Sequence, residues 1–133
     1  MSNTIIRNTL ENKLKTWAVS KNISSIAVEG VTFDKPTSTW VEAKIDHAAT
    51  INPTVDAIRK TYFGIFQVNI YVKDGNGTKV IETLADSLVQ EFAVLPKLGN
   101  LSIEKPAYIG SSWLDAQWRV LPVRINYRYE ADS

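Results

Sequence analysis

Thr61 to Lys73 is the segment that most restricts what this chain can fold into. It is rich in aromatic and β-branched residues, and Phe66, Val68, Ile70 and Val72 fall at alternate positions. Side chains of this type at period two predict a long strand with one fully apolar face. The other parity, Ile65, Gln67, Asn69 and Tyr71, is mixed. An apolar sheet face has to be covered by another apolar layer. Two stripes of helical period are available for that purpose. Ile6, Leu10, Leu14 and Trp17 line one side of a helix predicted from Thr4 to about Ser20. Thr78 suits the N-cap of a second helix running to about Ala93, with Val80, Ile81, Leu84, Leu88 and Phe92 as its apolar residues. Val80, Leu84, Leu88 and Phe92 are expected to form the stripe that meets the sheet.

The remaining segments add strands. Ile26 to Val28 is a short one, followed by a loop from Glu29 to Thr39 punctuated by Gly30 and Pro36. Trp40 to His47 alternates, with Val41, Ala43 and Ile45 on one side and Trp40, Glu42, Lys44 and Asp46 on the other. Leu101 to Lys105 is short. Trp118 to Glu130 is long, with Leu121, Val123, Ile125, Tyr127 and Tyr129 sharing a face opposite Arg124, Asn126, Arg128 and Glu130. Ala48 to Lys60 and Pro106 to Gln117 lack a hydrophobic period and are expected to be long loops, the kind that bind partners. The order is α-β-β-β-α-β-β. Strands joined without helical crossovers should pair antiparallel. The expected fold is therefore α+β, a mainly antiparallel twisted sheet with two helices packed on one face, in a single domain over residues 1–133.

Composition removes several function classes. The 133 residues contain no cysteine, which excludes disulfide scaffolds, thiolate metal sites and thiol catalysis. The single histidine, His47, excludes a histidine-rich metal cluster. A formal charge of +1 lacks the basic excess of a dedicated nucleic-acid binder. Met1 to Asn12 carries Arg7 and Glu11 and no long apolar run, so no secretory signal and no membrane partner are expected. The four tryptophans are a surplus of large apolar area, available to a core or to an interface.

The candidate chemical motifs fail one by one. His47 follows Asp46 in a strand, which points the two side chains to opposite faces. Asp74, Asn76 and Thr78 imitate the start of a calcium loop, but Lys79 stands where glycine is required and Ala85 where glutamate is. The same Gly75–Gly77 turn would need a glycine at Val80 to be a dinucleotide fingerprint. Ser111 and Ser112 lack the frame of a nucleophile elbow. Neither a catalytic set nor a cofactor or metal site is expected, and the chain is not expected to be an enzyme.

The order of landmarks is the remaining signal. An amphipathic helix precedes Ala27-Val28-Glu29-Gly30-Val31-Thr32-Phe33; Pro36 and Trp40-Val41-Glu42-Ala43 follow. Gly64-Ile65-Phe66-Gln67-Val68-Asn69-Ile70-Tyr71-Val72 leads through Gly75-Asn76-Gly77 into a helix with Ala85-Asp86 and Phe92. Trp118-Arg119-Val120-Leu121-Pro122-Val123 opens the final strand. Over nearly its full length the chain resembles the tail terminator (tail completion) proteins of phages with long, non-contractile tails.

That resemblance implies a structural virion protein, assembled in the host cytoplasm and placed at the head-proximal end of the tail. It implies a homohexameric ring that caps the tail tube, ends its polymerisation and presents a surface for joining the head. The implied partners are further copies of the chain, the tail tube protein and a head–tail connector protein. DNA would pass through the channel without sequence-specific binding. The candidate assembly contacts are Trp113, Trp40, Tyr108, Asn52 and Asp56. Two other readings stand beside this one: a tail-tube or head–tail connector subunit, and a small-ligand module or enzyme using the glycine turn or His47.

Overall fold

Two strands of fifteen residues, β3 (Arg59–Lys73) and β8 (Trp118–Asp132), pair antiparallel along their whole lengths and form the spine of the molecule. The computed structural model describes residues 2–23, 25–28, 38–51, 59–73, 75, 79–94, 97–98, 101–103 and 107–132. On one side of the spine lie β2 (Trp40–Ile51), antiparallel to β3, and then β1 (Ile26–Val28). On the other side, three short strands share the far edge of β8. These are β5 (Leu101–Ile103), β6 (Tyr108–Ile109) and β7 (Trp113–Asp115), and β4 (Lys97–Leu98) pairs outside β5.

The helices α1 (Ser2–Ser20) and α2 (Lys79–Val94) lie on one face of the sheet. Ile6, Leu10, Leu14 and Trp17 of α1 are buried there, against Val41, Ala43 and Ile45 of β2, Phe66, Val68, Ile70 and Val72 of β3, and Leu121 to Tyr129 at alternate positions of β8. Trp17 also ties the helices together, its indole N–H donating to Ser87 Oγ at 3.0 Å, and Lys13 pairs with Glu91 at 2.9 Å. The end of α1 is set by Asn22, whose φ of 59° suits the left-handed position after a helix. The Ile23 amide donates to Ala18 O and the Asn22 amide to Val19 O, the two bonds of a Schellman turn, and Ile23 is buried beside Ala18.

The α+β class, the face parities and the helix-covered side agree with the sequence analysis. Several details differ from it. β1 runs parallel to β2. Closeness in sequence therefore did not impose antiparallel pairing on these two strands. Val80 is 47% exposed, and the buried stripe of α2 is Ile81, Ala85, Leu88 and Phe92. Ile81 takes the facing position in line with Ala85, and Val80 lies one residue, about 100°, round the helix from it. Ala48 to Lys60 is strand at both ends: β2 continues to Ile51 through a register shift between His47 and Thr50, and β3 already begins at Arg59. Pro106 to Gln117 likewise contains β6 and β7, and β4 adds a further strand to the expected order. The expected N-cap at Thr78 lies outside the described residues.

Candidate assembly surface

The sheet face opposite the helices carries a continuous line of polar contacts across four strands. Glu42 on β2 accepts hydrogen bonds at 3.1 Å from both Tyr71 Oη and Asn69 Nδ2 on β3, and Lys44 Nζ sits 3.8 Å from the same carboxylate. Gln67 donates to Asn69 Oδ1 at 2.8 Å and accepts from Arg124 Nε on β8 at 3.2 Å. The Arg124 guanidinium then lies 6.0 Å from the centre of the Tyr108 ring on β6. Burial and the neighbouring Glu42 charge push the Tyr71 hydroxyl well above its ordinary value, so it remains a donor to that carboxylate.

Above this line the same face has a small core of its own. Trp40 is 2% exposed, stacked on Tyr71 with ring centres 3.8 Å apart and edge-on to Trp118 at 6.0 Å. Ala27 and Val120 complete the cluster. Trp40 was expected at the surface as an assembly contact. The structure instead encloses it within its own subunit, because the register places Tyr71 opposite it and Trp118 within reach.

Trp113 and Tyr108 are placed together, on β7 and β6 along one edge of the sheet. Of the seven large apolar side chains that stand exposed among the described residues, four belong to this edge: Tyr108, Ile109, Trp113 and Leu114. Trp113 is 42% exposed and Leu114 55%. Tyr108 and Trp113 pair with Arg124 and Val120, which puts them on the helix-free face, whereas Ile109 and Leu114 pair with Val123 and Arg119 on the other. Ile109 and Leu114 were missed in the sequence because a two- or three-residue strand shows no period. Asn52 and Asp56 lie outside the described residues.

Among the described residues no acid–base constellation forms around His47. Its Nδ1 lies 2.9 Å from Tyr127 Oη on the helix-covered side, and its neighbour Asp46 belongs to the opposite parity. Among the described residues no group of three His, Asp or Glu side chains could hold a metal ion. A cleft of about 510 Å³ lies where the end of α1 approaches the start of α2; Lys21, Lys79, Val80 and Leu84 line it, and none of the described residues in its walls is an acid or an imidazole. No helix among the described residues is long and apolar enough to cross a membrane.

The α+β sheet thus carries its helices on one side and an exposed apolar edge beside β8. The sequence matches the phage tail terminator protein family over residues 5–127. This chain belongs to that family. The tail terminator family is one of structural phage tail proteins rather than enzymes, so the chain is a tail component and its place is the virion. A solved structure 25% identical in sequence aligns with a TM-score of 0.73, covering 97% of this chain and 96% of the other. No curated protein sequence matches.

Proposed function

We propose that this terminator-family chain forms a closed ring, six-membered, on the head-proximal end of the tail tube. The ring ends polymerisation of the tube and presents the surface to which the head connector joins. It assembles in the host cytoplasm, from subunits of a single domain. DNA passes through its channel without being read, in keeping with a formal charge of only +1.

The observation that carries this reading, beside family membership, is the apolar edge of Tyr108, Ile109, Trp113 and Leu114. Exposed apolar side chains gathered on one edge mark a surface that a partner covers. Trp113 is its strongest anchor, since a half-exposed tryptophan offers large contact area and binding energy concentrates on such residues. The test is Trp113→Ala. The free subunit should melt at the parental temperature while the number of correctly joined heads and tails falls. A large fall in melting temperature with normal joining would contradict the role of this edge.

A further inference from the structure

The sheet has two stepped edges that fit one another. One row of paired residues runs Val28, Ala43, Val68, Val123, Ile109, across β1, β2, β3, β8 and β6. A second row, nearer the other end of the spine, runs Thr50, Tyr62, Tyr129, Leu101, Leu98, across β2, β3, β8, β5 and β4. Each row is five strands wide. They are offset by one strand: the first extends one strand beyond β2, and the second extends two strands beyond β8. Among the described residues nothing pairs with the outer sides of β1, β6, β7 or β4.

Shifting a copy sideways by five strands, about 24 Å at the usual inter-strand spacing, continues both rows with neither overlap nor gap. β6 of the first copy then comes beside β1 of the second, and β4 beside the Thr50 end of the second copy's β2. The strand directions agree with this placement. β2 and β8 run the same way, because each is antiparallel to β3, and β1 follows β2. β6 opposes β8, so β6 meets the neighbour's β1 antiparallel; β4, twice reversed from β8, meets the neighbour's β2 parallel. The helices of both copies stay on the same face.

We propose that neighbouring subunits join edge to edge, β6 of one beside β1 of the next and β4 beside the end of its β2, so that one sheet continues from copy to copy. This rests on the ring reading above and names the contact that closes the ring. A second copy is the occupant because its own opposite edge supplies the complementary step. Open strand edges hold backbone donors and acceptors that recruit another strand. Pairing there also covers Ile109. The two edges differ, so the contact is heterologous, the type that generates rings rather than two-fold dimers.

The chain has no cysteine of its own, so engineered pairs report the contact without background. The double variants Val28→Cys/Ile109→Cys and Thr50→Cys/Leu98→Cys, assembled on tails under reducing conditions, are then treated with oxidant or a short bifunctional thiol reagent. Both should give a ladder of covalent oligomers ending at the ring number, and the four single variants should stay monomeric on a denaturing gel. A terminal ring, seen by electron microscopy, in which neither double variant crosslinks would overturn edge pairing and leave the ring reading standing. A dimer from Ile109→Cys alone would replace the heterologous contact with a two-fold one. Tails carrying no terminal ring of this chain would overturn the ring reading itself.

Discussion

The hydroxyl of Tyr127 lies 2.9 Å from Nδ1 of His47, and the tyrosine ring reaches it by crossing over Gly64, the residue on β3 that pairs with both. Three adjacent strands are joined at this point by one side chain. The crossing requires a residue without Cβ. A methyl group at position 64 would run into the hydroxyl and ring of Tyr127 and the backbone oxygen of Asp46. Gly64→Ala is therefore expected to destabilise by about 1–3 kcal/mol, the usual cost of overpacking. Chemical denaturation of the purified subunit checks this, and the double variant Gly64→Ala/Tyr127→Ala should not show the sum of the two single losses.

Burial first, and then the nearby Asp46 carboxylate, raise the Tyr127 hydroxyl to about 12, against a partial lowering by Arg7. The folded value lies above the unfolded one of about 10, so the unfolded chain releases its proton first. The stability linked to this proton is fully present below about pH 10 and is lost as pH climbs toward 12. Tyr71 is shifted in the same direction and adds to the loss. Denaturation midpoints measured from pH 8 to 11.5 should fall above pH 10. Tyr127→Phe should make that fall shallower while changing little of the profile near neutrality.

Leu88 and Val80 test which side of α2 faces the sheet. Leu88 is completely buried and Val80 stands half in solvent. Leu88→Ala is expected to cost about 2–5 kcal/mol. Val80→Ala should stay within about 0.5 kcal/mol of the parent. Equal losses at the two positions would mean that the helix is rotated from the arrangement described.

The faces of the long strands and of α1 were legible because each is a periodic pattern imposed by burial over many residues. Phe66 to Val72 and Leu121 to Tyr129 could only be read one way. Val80 was misread because Val80 and Ile81 are adjacent apolar residues, and only the spacing to Ala85 separates the two rotations of the helix. β6 and β7 are too short to show a period; β8 supplies the template that makes them strands. Trp40 was taken for a surface residue because its burial depends on Tyr71 and Trp118, which no local pattern connects to it. The line Glu42–Asn69–Gln67–Arg124–Tyr108 was half legible. Parity put Glu42, and Gln67 with Asn69, and Arg124 on the polar faces of their own strands, but only the register brings them side by side.

The central claim is that this chain closes the tail as a ring, and imaging tail ends tests it most directly. Electron microscopy of tails in which the chain carries a visible tag should show one ring of label at the head-proximal end, and tails lacking the chain should grow beyond their normal length. Label distributed along the tube, or tails of normal length that join heads without the chain, would contradict it.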